Sequence, residues 1–295
     1  MHPEEQRGES MARVVVTGTS KGIGLETALV LARAGHTVYA TMRSPEKAPE
    51  LARRAAAEGL AIYVSKMDVD SDSSVAEGMA AIEKQAGEID VLVNNAGIER
   101  HGSVEELPLS EFRAVMETNY FGALRCIKAV VAGMRERRSG CIVNITSIAG
   151  KLATSPLGSY AASKFALEGL SEALAQEMKL FGVHVAIVEP GIIDTSMARG
   201  LEEMEKATHY PHTKRMEKLF AGALAMELER GPHLVGEKIV EILTSGTWKL
   251  RHVVGPDAQQ TLDFRRSMTD EEYVALQGQD DAAYAAEMAR RMGQG

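Results

Sequence analysis

The chain has 295 residues, 45% of them hydrophobic and 25% charged, as in a soluble globular protein. Its net charge of −8 argues against wide contact with nucleic acid or an anionic membrane surface. No apolar run approaches the ~20 residues of a membrane span. Two cysteines, Cys126 and Cys141, are too few for a disulfide framework and read as reduced, so a cytoplasmic enzyme fits best.

Residues 1–11 lack an apolar signal core and are expected to form a disordered tail. Beyond them, apolar runs bounded by turn residues alternate with helical patterns. Strands are expected at 13–17, 37–42, 61–67, 90–94, 141–146, 184–188 and 251–254. Helical periodicity marks 24–34, 71–86, 110–137 and 159–181. The runs VVV, VLV and IVNI are apolar throughout, as strands buried on both faces require. Strand–helix alternation with right-handed crossovers gives an α/β fold, a doubly wound parallel sheet in a single domain over 12–256. A long insert after Pro190 reads as a substrate lid at about 191–232, and 257–295 as a C-terminal helical extension.

The first strand runs into TGTSKGIG, Thr17 to Gly24. Gly18 allows a tight turn, Gly22 lets backbone approach a pyrophosphate, and Gly24 lets the helix pack closely on the strand. The helix N-terminus then offers free N–H groups to an anion. Glycines in a loop also make plain turns; the position between strand and helix favours the nucleotide site. The second strand, VYATM, ends in Met42 and Arg43, where NAD-binding folds commonly place a carboxylate on the ribose 2′-hydroxyl. A carboxylate would repel a 2′-phosphate, whereas a guanidinium grips it with two hydrogen bonds. Lys21, beside a helix N-terminus that disfavours cations, points the same way. Either charge alone reads as solvated surface; together they favour NADP(H).

Tyr160 and Lys164 in YAASK are four apart and share a helix face, and Ser147 ends the preceding strand at the carboxyl edge. Hydride transfer to a ketone needs a proton donor at oxygen, and the reverse needs a base. A free phenol has a pKa near ~10, so a nearby ammonium and an oxidised nicotinamide are expected to lower it. Ser147 can then hold the substrate oxygen. Asn119 lies in a long helical stretch and also reads as a buried amide. The eight histidines do not cluster at ligand spacing, so no metal is expected.

These motifs, in this order over roughly residues 13–254, resemble the short-chain dehydrogenase/reductase family, with VYATMR similar to its hydroxysteroid and retinol dehydrogenase-like members. The resemblance implies a Rossmann-type sheet of about seven strands. It implies a cofactor held by Gly18, Ser20, Lys21, Gly22, Ile23 and Gly24, with Arg43 choosing NADP(H). Asp68 would accept from the adenine amino group beside Val69. In NNAG, Asn94, Asn95, Ala96 and Gly97 would support the central sheet and the cofactor's adenosine half, with Asn94 also readable as a satisfied buried amide. Tyr160 and Lys164 would touch the cofactor as well as the substrate, and Asn119 would hold a water linking Lys164 to solvent. In PGIIDT, Pro190 and Gly191 would shape the nicotinamide turn, Ile193 would meet the carboxamide through backbone, and Thr195 through its hydroxyl.

Alanine and leucine on several faces of 110–137 and 159–181 suggest a two-fold helix pairing, hence a homodimer or homotetramer. The insert carries Met197, Leu201, Met204, Tyr210, Met216, Leu219 and Phe220, a natural lining for a bulky, weakly polar molecule. Met216, Leu219 and Phe220 could equally pack one short helix on the sheet. Lys214, Arg215 and Lys218 could face solvent or the cofactor phosphates. The expected function is carbonyl–alcohol interconversion on a small lipophilic, steroid- or retinoid-like molecule. An acyl-carrier-linked ketoreductase would share every catalytic residue but would want a basic patch for its carrier. RERR, Arg135 to Arg138, should lie at the wrong sheet edge for that. A non-catalytic NADPH sensor is the remaining alternative.

Overall fold

In the computed structural model, which describes residues 11–200 and 209–292, seven strands form one parallel sheet. They are β1 (Arg13–Thr17), β2 (Thr37–Met42), β3 (Ile62–Lys66), β4 (Val91–Asn94), β5 (Gly140–Ile145), β6 (Val183–Pro190) and β7 (Arg251–Val254). Their spatial order is β3-β2-β1-β4-β5-β6-β7, so the winding reverses between β1 and β4. At such a switch point the loops leaving the carboxyl ends diverge and open a crevice.

Successive strand residues face opposite sides. Val14 and Val16 pack under α1 (Gly22–Arg33) against Leu25, Ala28 and Leu29. Val15, Leu92 and Ile142 point the other way, toward α3 (Asp72–Ala86), α5 (Ala123–Arg137) and α6 (Gly158–Lys179). Val14, Val15 and Val16 are wholly buried, each contributing about 1.5–3 kcal/mol. The remaining helices of the first half are α2 (Glu50–Glu58) and α4 (Leu109–Met116).

After β6 come α7 (Ser196–Arg199), α8 (Pro211–Ala225) and α9 (His233–Thr244), the last packed on α1. The expected insert is thus largely helical where described. Leu201 and Met204 lie outside the described residues, as does nearly all of the 1–11 tail. The C-terminal extension forms α10 (Ala258–Arg266), α11 (Asp270–Gln277) and α12 (Asp281–Met292). It is not simply polar: Met268, Tyr273 and Leu276 are buried, with Phe264, Tyr284 and Met288 against them. No helix among the described residues is long and apolar enough to cross a membrane.

One expected helix differs. Residues 110–137 are not uniformly α-helical, because a π-helical turn, Glu117–Gly122, joins α4 to α5. The wider turn adds a residue and re-aims its side chains. Asn119 sits in it.

Candidate functional site

A cavity of about 1470 Å³ opens along the carboxyl edge of the sheet. Its cofactor-sized half begins at the glycine loop. Gly18 and Gly22 have φ of +71° and +58°, which only glycine adopts freely. A Cβ on Gly24 would lie 2.3 Å from Asn95 Nδ2 and 2.4 Å from Gly18 O, so helix and loop touch there. Lys21 is the N-cap of α1, with no side chain capping the first turn. Those N–H groups are therefore left for an anion. Thr195 faces Gly22 across the cleft, 3.5 Å from the position of a Cβ there. These features fit a pyrophosphate.

Thr17 Oγ1 accepts from the N–H groups of Asn95 and Ala96, both at 3.0 Å, and Asn95 Nδ2 donates to Thr17 O at 2.8 Å. Asn95 thus braces the glycine loop. Asn94 serves the sheet alone: its Nδ2 donates to Asn144 Oδ1 at 2.8 Å, and it does not line the cavity. The adenosine role expected of it is not its own.

Ser20, Ile23, Asp68, Val69, Ala96 and Gly97 line the same cleft. Lys21 and Arg43 line it too, joined by Lys47 and Lys66, which sequence reading missed. Lys66 could have been found from strand pairing, since it is level with Met42 on the neighbouring strand. Asp70, also missed, accepts from Thr118 Oγ1 at 3.0 Å. Burial pushes its carboxyl above the ordinary value, with Asp68 adding, while Thr118 and Arg43 oppose.

The chemical half gathers Ser147, Tyr160 and Lys164. Ser147 caps a short 3-10 turn, accepting from Ala149 N–H at 3.1 Å and donating to Pro190 O at 3.4 Å, and lines the cavity with Tyr160. Lys164 Nζ lies 5.5 Å from the Tyr160 ring centre and donates to Ile145 O at 2.9 Å. The expected lowering of the phenol by Lys164 is not found. Burial pushes Tyr160 up and Glu99 adds to it, with Ser147 opposing. Burial brings Lys164 down to about 8, while Glu99 and Glu168 hold it up.

Asn119 is almost wholly buried. Its Oδ1 accepts from Ile98 N–H at 2.8 Å, and its Nδ2 donates to Ile98 O and Ser163 Oγ, both at 2.9 Å. Oδ1 and Lys164 Nζ both face Gly97. The buried-amide reading of Asn119 is the one these bonds show, and the amide adjoins the lysine.

Pro190, Gly191, Ile193 and Thr195 line the cavity, and their turn is clamped by residues not anticipated. Asp257 Oδ2 accepts from Ile192 N–H at 3.1 Å. Buried Arg230 donates to Ile192 O at 3.1 Å and pairs with Asp257. The outer wall comes from Met197, Met216, Leu219 and Phe220 together with Phe264, Tyr273, Tyr284 and Met288. Met216, Leu219 and Phe220 therefore face the cavity rather than merely packing a helix on the sheet. Tyr210 does not line it and bonds Glu105 instead. Arg215 faces neither solvent nor phosphate. It is buried, pairs with Asp281 at 2.8 Å, donates to Gln277 O at 3.2 Å and stacks on Tyr284. Lys214 and Lys218 are exposed.

The family model for short chain dehydrogenases matches residues 12–206. The chain belongs to that family. Retinol dehydrogenase 8 of Bos taurus is 42% identical over 204 residues, 68% of this chain and 65% of that enzyme's length. A short-chain dehydrogenase structure from Streptomyces avermitilis is 32% identical with a TM-score of 0.75, covering 92% of this chain and all of the other. A structure of an actinorhodin polyketide ketoreductase variant with NADPH is 29% identical with a TM-score of 0.75, covering 85% of this chain and 98% of the other.

Proposed function

We propose that this dehydrogenase interconverts a lipophilic carbonyl compound and its alcohol with NADP(H), through Ser147, Tyr160, Lys164 and Asn119. The observation that carries the reading is the meeting of Ser147, Tyr160 and Lys164 in one cavity with the anion-ready glycine loop. A bound nicotinamide cofactor supplies or accepts the hydride. Tyr160, held protonated by burial, gives its proton to the carbonyl oxygen, and Ser147 holds that oxygen by hydrogen bond. Lys164, fixed on Ile145 O, sets a positive charge near the phenol as it ionises. Asn119 fixes the Ile98 backbone and lies beside the lysine that must regain a proton.

Arg43, Lys21, Lys47 and Lys66 at the ribose end support a 2′-phosphate. The methionine and aromatic wall supports a steroid- or retinoid-like body, in keeping with the retinol dehydrogenase relative. The acyl-carrier alternative is weaker, because Arg135 to Arg138 end α5 at the opposite sheet edge. Steady-state kinetics with NADPH and NADH on matched apolar and polar carbonyls test the reading. Tyr160→Phe keeps the ring but loses the proton, so turnover should collapse while NADPH still binds. Retention of more than roughly a tenth of the rate would refute the assignment, since acid–base catalysis is worth at least ~100-fold.

A further inference from the structure

We propose that Glu99, held by His101, selects apolar carbonyl compounds that carry a hydrogen-bond donor, an ammonium or a hydroxyl, next to the reacting carbon. This deepens the function proposed above and rests on it. Glu99 and His101 lie on the loop that leaves β4 and line the same cavity as Tyr160. The His101 ring is hydrogen-bonded to Glu99 Oε1, and the two side chains are only 12% and 10% exposed.

The loop is fastened on both sides of Glu99. Asn119 grips both backbone groups of Ile98, and the Ser159 hydroxyl, at the start of α6, donates to Arg100 O at 3.1 Å. One turn further, Gly102 N–H donates to Pro156 O at 3.1 Å. Glu99 therefore meets the cavity at a fixed place, as discrimination requires.

A carboxylate has about four lone-pair sites, more than one imidazole can fill. Burying it is costly unless donors or opposite charge meet it. Glu99 lines one cavity with Ser147, Tyr160 and Lys164, and two residues before it a Cβ on Gly97 would lie 3.8 Å from Lys164 Nζ, so its loop runs beside the place the carbonyl would take. The wall farther out is apolar, with Leu152, Leu157, Leu219 and Phe220. A substrate anion near the carbonyl would meet a like charge there. A donor would meet an acceptor already desolvated and aimed.

Glu99 could instead serve only as a counter-charge for Lys164. That role would change the rate of every substrate alike, whereas selection changes their ratios. The experiment uses four apolar ketones of matched size, bearing an ammonium, a hydroxyl, a methyl or a carboxylate on the carbon beside the carbonyl. Wild type, Glu99→Gln, Glu99→Asp and His101→Asn are compared by kcat/KM, with NADPH and with NADH. Wild type should prefer the ammonium or hydroxyl ketone to the methyl ketone at least tenfold and take the carboxylate least. Glu99→Gln should cut the ammonium-to-methyl ratio at least tenfold and raise the carboxylate-to-methyl ratio, with Glu99→Asp between. The ammonium and hydroxyl arms separate charge from hydrogen bonding. A uniform fall on all four ketones, or ratios unchanged from wild type, would overturn the inference. Should the variants fail to fold, a wild type that takes the methyl ketone as readily as the two donors overturns it equally. Turnover of no carbonyl with either cofactor would overturn the underlying function and this inference together.

Discussion

In the proposed reaction Tyr160 and Lys164 carry the proton chemistry, and the fold shifts them in opposite senses. Tyr160 is pushed up and so stays protonated through neutral pH, while Lys164 is brought down to about 8. The lysine is charged below about pH 8 and neutral above it. Carbonyl reduction should therefore be level through neutral pH and fall above about 8, approaching tenfold per pH unit. Lys164→Met should lower the plateau and remove that limb; a wild-type profile flat to pH 10 would count against it. At the other end of the cleft, Arg43→Asp puts a carboxylate among Lys21, Lys47 and Lys66. Binding of NADPH should weaken at least tenfold, about 1.4 kcal/mol, with NADH spared. Equal loss of both cofactors would give Arg43 another role. Ser147, Tyr160 and Lys164 were legible because each sits at a strand end or at one-turn helical spacing. Glu99 and Arg230 were not, since their partners depend on contacts that no local pattern encodes.

The elements that finish the cavity are those whose sequence pattern is weakest. Arg13–Thr17, Thr37–Met42 and Arg251–Val254 were readable to the residue, because each is a short run of β-branched and aromatic residues bounded by turn signals. The π-helical turn at Asn119 was not, since nothing in ETNYFG distinguishes it from α-helix. The wall made by α10, α11 and α12 was missed because its buried members are spread thinly among charges. Arg215 fastens that wall to α8 through Asp281 and the carbonyl of Gln277. Replacing it by Met keeps the length and loses charge-assisted bonds worth about 1.5–3 kcal/mol each. Arg215→Met should lower the Tm by several degrees. It should also raise KM for apolar substrates more than it lowers kcat, because the wall shapes binding rather than proton transfer. A KM unchanged in a folded variant would detach the extension from substrate binding.

At the scale of the whole molecule, large apolar side chains remain exposed on three helical segments that pack against one another. Phe121, Phe165 and Leu109 are 43%, 45% and 62% exposed, on the π-helical turn, α6 and α4. Their exposure joins the surplus of alanine and leucine read from the sequence, and a second copy of the chain is the expected cover. Light scattering should give twice or four times the chain's 31.8 kDa; the single-chain mass at micromolar concentration would refute the pairing. Assembly of that kind involves finished subunits, and the Arg230–Asp257 pair bears on when a subunit is finished. Arg230 precedes β7 and Asp257 follows it, and together they set the Ile192 turn, which in the proposed function meets the nicotinamide. During synthesis, the guanidinium leaves the ribosome before its partner does. Until the seventh strand and the start of the tail have emerged, the cofactor turn has no clamp. A chain stopped at residue 256 should leave an unpaired buried charge at a cost of about 3–5 kcal/mol. Half-made copies would then be poor at holding cofactor, and pulse-labelled truncation products should fail to bind an NADP-affinity matrix that retains the full chain.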